Sequence, residues 1–378
     1  MKRWRIVTFL GMALVALSVS ACGQGGGKTE EPAKNKPTEV GKGETEPKAK
    51  PKLRLAFISN NPFGFWTYAQ RGCEAAAAEL DIDLVFRRPS KGTQAQQKEI
   101  IEELMLTGID GIAISPNDAK NFVPFLKNKV AAKIPLVMQD NDLPDVKARN
   151  CYIGTHNYRA GRAAGALVKR AVPKGKIVIF VGRMDVPNAR ERRQGVLDVL
   201  AGKDKDQREM AEETPNEKDV QVGDYLLVDT RTDGSNQAAC QKKAEEILLI
   251  HNDIACMIGL WEYNPPAILQ AVKASNSKPA IVGFDENFQT LEAIQKGEIV
   301  GTVVQNPYMF GYESIKILAG LARKDPDVLK RKDIDAENRI FVPHRVVVRN
   351  PGQEKIGNSE TVDVDVFYPE AKKLRGEG

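Results

Sequence analysis

Polar side chains recur where predicted strands end, in both halves of the chain. They include carboxylates, carboxamides and a guanidinium, which together offer donors and acceptors to several hydroxyl groups. Aromatic side chains near the same points offer flat apolar faces, and this combination favours a sugar or a similar polyol as ligand. For each polar residue taken alone, capping of the next helix is the alternative role. The polar residues are Asn61, Asp140, Arg190, Asp233, Asn264, Asp285 and Gln305, and the aromatic ones are Phe63, Phe65, Trp66 and Trp261.

Residues 59–66, with the sequence SNNPFGFW, are the most informative of these segments. They follow an apolar run over residues 53–58 and precede a helical pattern that extends to residue 80. A strand that leads through amides, Pro, Gly and aromatic residues into a helix is typical of a ligand-binding loop at the carboxyl edge of a parallel sheet. A turn whose aromatic residues pack locally is the alternative.

Short apolar runs alternate with helical patterns from residue 53 onward. In the first series, strands are predicted near residues 53–58, 83–87, 111–114, 135–139 and 151–153, with helices near 66–80, 94–107 and 119–132. In the second series, helices are predicted near 158–171, 188–201, 236–250 and 265–275, with strands near 177–181, 225–228, 255–259 and 280–283. Such alternation predicts parallel sheets with crossover helices, and the two series predict an α/β protein with two Rossmann-like, doubly wound lobes.

The remaining elements are too numerous to belong to the second lobe alone. Helices are predicted near residues 288–296 and 309–322, and strands near 299–304 and 341–348, so we expect the chain to cross back between the lobes. Residues 203–219 are strongly charged and predict a surface loop or a solvated helix. Residues 361–367 alternate in polarity and are compatible with an additional edge strand.

The first 22 residues have a basic start, an apolar stretch over residues 6–19, and small residues before Cys22. The apolar stretch is too short for a good membrane-spanning helix, so we interpret it as an export signal. It resembles a bacterial lipoprotein signal, which implies a lipid on Cys22 and a protein anchored in the periplasm or at the cell surface. An ordinary secretory signal with an incidental cysteine is the alternative.

Residues 23–52 are rich in Gly, Lys, Glu and Pro and predict a flexible tether. The signal contributes +3 and the tether, with seven Lys against five Glu, contributes +2 to the chain's net charge of +5. The folded part is therefore near neutral, which gives no reason to expect a nucleic acid or an acidic membrane surface as partner. Four further cysteines lack CxxC spacing, and we expect buried free thiols at Cys73, Cys151, Cys240 and Cys256.

Four motifs, in this order, resemble the ribose-type periplasmic sugar-binding proteins of ABC importers, which are type I periplasmic binding proteins. The motifs are NNPF (60–63), ARER (189–192), VGFD (282–285) and VVQNP (303–307), and the resemblance covers about residues 53–348. It implies sugar contacts from Asn61, Phe63, Asp140, Arg190, Asp285 and Gln305. It also implies three crossings between the lobes, near residues 155, 305 and 341. The N-terminal lobe would then contain 53–155 plus 306–340 and the C-terminal lobe 156–305 plus 341–350, followed by an extension over 351–378.

The chain departs from the ribose-binding pattern at several positions. Asn141 stands where ribose binders have Arg, residues 231–232 lack their aromatic residue, and Trp261 and Asn264 stand near their Asn. Gly64 interrupts the Phe-Phe pair of the family, so Phe65 or Trp66 would have to serve as the second aromatic residue. These changes weaken the case for ribose itself but retain a small polyhydroxylated ligand, and they add Asn141, Phe65, Trp66, Trp261 and Asn264 to the candidate contacts.

Other function classes have less support in the sequence. The chain lacks GxxxxGK[ST], GxGxxG, GxSxG and HExxH, and His156, His251 and His344 are scattered, so we predict no catalytic residue, metal or cofactor. A sugar-responsive transcription regulator would need a DNA-binding helix-turn-helix where the export signal stands. We expect a monomer that serves ABC permease membrane subunits. A ligand sensor for a chemoreceptor or sensor kinase, with the same fold, is the alternative.

Overall fold

The computed structural model describes residues 52–203, 213–352 and 355–377, and two mainly parallel sheets form the framework of this part of the chain. The predicted export signal, Cys22 and nearly all of the predicted tether lie outside the described residues, as does the centre of the charged segment 203–219. Within the described ranges, no helix has the length and apolar character needed to cross a membrane.

The observed elements follow the predicted alternation closely. The strands are β1 (Arg54–Ile58), β2 (Asp83–Arg87), β3 (Gly111–Ile114), β4 (Leu136–Gln139), β5 (Cys151–Gly154), β6 (Gly175–Val181), β7 (Val220–Val222), β8 (Tyr225–Thr232), β9 (Ile254–Gly259), β10 (Ala280–Phe284), β11 (Gly301–Val304), β12 (Arg339–Phe341), β13 (Arg345–Val348) and β14 (Glu360–Asp363). The helices are α1 (Phe65–Leu80), α2 (Gln94–Thr107), α3 (Ala119–Phe125), α4 (Asn157–Ala171), α5 (Pro187–Leu200), α6 (Gln237–Ile250), α7 (Asn264–Lys273), α8 (Phe288–Lys296), α9 (Pro307–Ala322) and α10 (Val364–Arg375). A π-helical segment, Leu126–Ala131, continues α3, and Val146–Ala148 forms a short 3-10 turn.

The first sheet has the strand order β12-β5-β4-β3-β1-β2, and all its pairs are parallel. Side chains of a strand alternate between its two faces, so each strand supplies two cores. Leu55 and Phe57 pack in the cluster that includes residues of α1 and α9, whereas Ala56 and Ile58 pack in the cluster that includes residues of α2 and α3. Burial on both faces explains the continuous apolar runs in these strands.

The second sheet has the order β14-β13-β11-β10-β9-β6-β8-β7. β13 is antiparallel to β11 and β7 is antiparallel to β8, while the other pairs are parallel. Ile177 and Ile179 pack in one cluster with residues of α4 and α5. Val178 and Phe180 pack in the opposite cluster with residues of α6, α7, α8 and α10.

The chain passes between the two sheets after β5, after β11 and after β12. The predicted single strand over 341–348 is wrong, because β12 and β13 belong to different sheets. Pro343 lies between them and has no N–H to donate to a continuing ladder. The chain leaves one sheet and enters the other over residues 342–344.

The C-terminal extension adds one strand and one helix to the second sheet. β14 lies at the sheet edge beside β13, and α10 begins directly after it. The predicted edge strand over 361–367 is therefore right only in its first part. The Asp363 carboxylate accepts the N–H of Asp365 at 2.8 Å, which caps α10 and ends the strand. The expectation of buried free thiols is confirmed for Cys73, Cys151, Cys240 and Cys256.

Candidate functional site

The loop over residues 59–66 is held in shape by its own hydrogen bonds. Ser59 Oγ donates to the Asn61 carbonyl at 2.8 Å, and Asn61 Oδ1 accepts the Phe63 N–H at 2.9 Å. Asn60 Oδ1 accepts Asn61 Nδ2 at 2.6 Å and Trp66 Nε1 at 3.1 Å. Because these groups fix the backbone, the loop is preorganised, and it leaves the Phe63 ring 52% exposed as an apolar face.

Asp140 directly follows β4 and has a left-handed backbone conformation, with φ of 62°. Its Oδ2 accepts Ser115 Oγ at 3.1 Å, Asn141 Nδ2 at 3.2 Å and Asn60 Nδ2 at 3.5 Å. Burial raises the pKa of Asp140 to about 6, although the charge of Arg192 and the Ser115 hydrogen bond oppose this rise. The site therefore holds a carboxylate in a poorly solvated position, where a hydroxyl donor would stabilise it.

Asp285 occupies the equivalent position in the second sheet, directly after β10, with φ of 65°. Its Oδ1 accepts Gln305 Nε2 at 2.9 Å, so the structure brings two predicted site residues together. Arg192 Nη1 lies 4.0 Å from Asp285 Oδ2. Burial raises the pKa of Asp285, and the Arg192 charge opposes this rise. The negative charge of Asp285 adds to the rise in the pKa of Asp140.

Arg192, rather than the predicted contact Arg190, is the arginine whose guanidinium lies near Asp285. It is only 2% exposed, lies 4.6 Å above the Phe284 ring and donates to Asn157 Oδ1 and the Leu260 carbonyl, both at 2.9 Å. The predicted contact, Arg190, instead has Nε 3.2 Å from Glu213 Oε1 and a side chain 38% exposed.

Helix geometry explains this exchange between the two arginines. Residues two positions apart lie on nearly opposite sides of a helix, so Arg190 and Arg192 cannot both face the cleft. Arg193 donates to Thr230 Oγ1 at 2.9 Å inside its own lobe. Asn188 lies one turn before Arg192, and its Nδ2 donates to Asn141 Oδ1 in the other lobe at 3.3 Å. Asn188 and Arg192 are four residues apart and so lie on the same face of α5, but the sequence alone does not show that this face is the one beside Asn141 and Asp285.

Two further residues predicted to contact the ligand, Trp66 and Asn264, are buried inside their own lobes. Trp66 is 1% exposed in the core of the first lobe and is tied to Asn60 through its indole N–H. Asn264 is fully buried, donates to Asp233 Oδ2 at 2.9 Å and accepts the Trp261 N–H at 2.9 Å. Because both side chains are buried and their polar atoms are paired inside their own lobes, we leave Trp66 and Asn264 out of the site proposed below. Asp233 in turn accepts the N–H of Ser235 and so stabilises the turn before α6.

Phe65 and Trp261 lie at the margin of the site. Phe65 packs edge-on against Trp66 at 5.0 Å and faces Phe310, so most of its ring serves the first lobe. The Trp261 ring lies against Gly182, where an added Cβ would come within 2.0 Å of it. The Trp261 indole N–H is buried and has no hydrogen-bond partner among the described residues. It is an unpaired donor at the carboxyl edge of the second sheet.

A cavity of about 300 Å³ opens beside Asp140 and Asn141, toward the crossings between the sheets. Its lining includes His156, Asn188, Glu191 and Phe341. Burial raises the pKa of Glu191 to about 7, against the charges of Arg192 and Arg190. The volume lies at the lower end of the range for small-molecule sites.

Asn60, Asn188 and Arg192 are the site residues that the sequence did not identify. No cluster of His, Cys, Asp or Glu that could hold a metal ion occurs in the described ranges.

The chain is similar to known solute-binding proteins over most of its length. It is 22% identical over 253 residues to the ribose import binding protein RbsB of Bacillus subtilis, with 67% of this chain and 75% of the relative covered. It is 24% identical over 310 residues to a xylitol-binding protein of Mycolicibacterium smegmatis, with 81% and 80% covered. A crystal structure of an ABC transporter solute-binding protein from Burkholderia graminis with D-arabinose superposes with a TM-score of 0.67 at 23% identity, with 80% of this chain and 98% of the other covered.

The predicted fold class is confirmed by these similarities and by the two sheets. Residues 56–326 match the family model of the periplasmic binding protein domain, which is more than half of the chain. The chain belongs to the periplasmic binding protein domain family.

Proposed function

We propose that this protein is an extracytoplasmic solute-binding protein, which captures a monosaccharide or similar polyol between two lobes and delivers it to an ABC permease. One observation carries the proposal: Asp140 and Asp285 stand at equivalent strand ends of the two sheets, both poorly solvated, with the Arg192 guanidinium beside Asp285. Two acceptors and one planar donor in a dry cleft suit several adjacent hydroxyl groups. Relatives named for ribose and xylitol support this ligand class.

In the proposed site, the first lobe contributes Asn61, Phe63, Asp140 and Asn141. The second lobe contributes Arg192, Asp285 and Gln305, with the Trp261 indole N–H as a further donor. Arg190 remains outside the site as long as it pairs with Glu213. We propose lobes with the expected ranges, residues 53–155 plus 306–340 and residues 156–305 plus 341–350, except that Phe341 ends β12 in the first sheet and that β14 and α10 extend the second lobe.

Binding needs no covalent chemistry. A ligand held by one lobe offers its free hydroxyls to the other, so it favours the closed form by the difference in its affinity for the two forms. The Asn188–Asn141 hydrogen bond joins the lobes in this structure and would form only on closure. We propose further that Cys22 carries the lipid anchor, that residues 23–52 are the tether, and that the protein acts as a monomer without enzymatic turnover.

Calorimetric titration of the purified protein with D-ribose, D-allose, D-arabinose, D-galactose and xylitol tests the proposal. We expect at least one of them to bind with a dissociation constant in the micromolar range or below, which corresponds to about 8 kcal/mol or more. The bound sugar should be recovered unchanged. A chemically altered sugar, or binding that survives replacement of both Asp140 and Asp285 by Ala, would contradict the proposed site.

A further inference from the structure

The helix α10 is fastened to the second lobe along most of its length. Tyr368 Oη donates to Glu292 Oε1 of α8 at 2.7 Å, and Gln295 Nε2 of α8 donates to Asp365 Oδ1 at 2.6 Å. Val364, Phe367, Tyr368 and Ala371 are buried in the apolar cluster of the second lobe. Whatever the end of this helix contacts is therefore connected rigidly to that lobe.

The C-terminal end of α10 reaches the first lobe beside the ligand loop. Tyr68 of α1 is buried in the same apolar cluster as Phe367 and Ala371. A methyl carbon built at Gly64 would lie only 3.1 Å from Arg375 Nη2 and 3.3 Å from Arg375 Cζ, so the guanidinium lies against the backbone of the loop. A small cavity of about 40 Å³ is lined by residues of both lobes and of α10, including Tyr68, Gln305 and Leu374.

Arg375 also contacts the second lobe at the same point. Its Cζ lies 4.3 Å above the Phe288 ring at the start of α8. Burial raises the pKa of Tyr68 in the first lobe and of Glu262 in the second, and the charge of Arg375 opposes both rises. One guanidinium thus interacts with residues of both lobes, next to the segment that presents Phe63.

We propose that Arg375 is a positioning residue that clasps the ligand loop to the second lobe when the two lobes meet. This inference rests on the proposed function, because it assigns the C-terminal extension a part in closure around the ligand. Arg375 acts through the loop and need not touch the ligand. Its guanidinium contacts the Phe288 ring of the second lobe and lies close to Gly64 of the first.

The proposal gives a physical reason for Gly64, which interrupts the Phe-Phe pair of the ribose-type proteins. Gly64 has φ of −60° and ψ of −28°, a conformation open to any L residue, so the backbone does not require glycine. A side chain at residue 64 would instead contact the Arg375 guanidinium. An alanine at this position would require the guanidinium to shift by a few tenths of an ångström, so the effect of the substitution should appear only while Arg375 is present.

The test uses the full chain with Arg375→Ala, Arg375→Lys, Gly64→Ala and the double variant Gly64→Ala/Arg375→Ala. Lys373→Ala is the matched control, because Lys373 is an exposed cation in the last turn of the same helix. For whichever of D-ribose, D-allose, D-arabinose, D-galactose and xylitol binds the wild type, we expect Arg375→Ala to raise the dissociation rate about three- to tenfold, with the association rate changed less than about twofold. Arg375→Lys should fall between the wild type and Arg375→Ala, and Lys373→Ala should match the wild type.

Gly64→Ala should raise the dissociation rate by itself but add nothing in the Arg375→Ala background. Additive losses, or equal dissociation rates for Arg375→Ala and Lys373→Ala, would overturn the clasp. The clasp would also be overturned if Arg375→Ala had a lower unfolding midpoint but unchanged binding, because Arg375 would then only stabilise α10. If none of the five compounds binds the wild type, the proposed function fails for them, and amide hydrogen exchange decides the clasp separately. Arg375→Ala should then speed amide hydrogen exchange over residues 59–68. Equal exchange rates for Arg375→Ala and Lys373→Ala over these residues would refute the clasp.

Discussion

Replacement of Asp140 by Asn should make the ligand-free protein more stable and a poorer binder. Burial holds the pKa of this carboxyl at about 6 instead of 3.8. The ionised form is thus disfavoured by roughly 3 kcal/mol at most, because one pKa unit corresponds to about 1.4 kcal/mol. Solvent that reaches the partly exposed cleft reduces this value, so we expect a gain of about 1–2 kcal/mol in unfolding free energy at pH 7.5. The carboxamide oxygen introduced by Asp140→Asn would keep the donors Ser115, Asn60 and Asn141.

The stability difference between Asp140→Asn and the wild type should depend on pH, in a direction that the pKa of Asp140 determines. Because the pKa of Asp140 is higher in the folded than in the unfolded state, its protonated form supports folding at low pH, and this support is lost as pH rises from about 4 through about 6. The stability difference between Asp140→Asn and the wild type should therefore be near zero at pH 4, grow through pH 6 and remain constant above pH 7. Urea unfolding across this range measures it.

Binding should change in the opposite direction. A ligand hydroxyl loses a charge-assisted acceptor, so the dissociation constant should rise at least about tenfold at pH 7.5. Asp118→Asn is the control, because Asp118 caps α3 by accepting the Asn121 N–H, and Asn caps comparably. The reasoning is refuted if Asp140→Asn is no more stable than the wild type at pH 7.5, or if its stability difference does not vary with pH.

Three further predictions follow from the site and the chain ends. Arg192→Ala should weaken binding by at least about tenfold and lower the unfolding free energy, because it leaves Asp285 buried without its cation. Arg190→Ala should change the unfolding free energy by only about 0–1 kcal/mol. Calorimetry and urea unfolding measure both variants, and a larger loss of binding and stability in Arg190→Ala than in Arg192→Ala would contradict this prediction. Cys22→Ser should release the protein from the membrane without changing ligand affinity, and membrane retention of the variant together with a lipid-free wild type in mass spectrometry would reject the anchor. Ligand should contract the protein in small-angle scattering and raise its melting temperature, and an unchanged radius of gyration at saturation would argue against lobe closure.

The alternation of strands and helices could be predicted from the sequence because it depends on local patterns. Buried strands in a parallel sheet are continuous apolar runs, and the helices between them carry a 3.6-residue period, so helices such as Gln94–Thr107 and Phe288–Lys296 have the predicted bounds. The ends of parallel strands meet at one sheet edge in any such fold. This geometry explains why Asp285 and Gln305, which follow the neighbouring strands β10 and β11, lie close enough to form a hydrogen bond, whereas Asp140 follows a strand of the other sheet and joins them only in the proposed site.

Tertiary packing decided which polar side chains remain available to a ligand. Nothing local distinguishes Arg190 from Arg192, but the register of α5 turns one toward Glu213 and buries the other beside Asp285. Asn264 has the right residue type and strand-end position, yet Asp233 already occupies its donor. Hydrogen-bond capacity is used by whichever partner folding brings closest, and sequence spacing does not report that partner. The contact between Gly64 and Arg375 is the extreme case, because it joins the first loop to the last helix and exists only once both lobes are assembled.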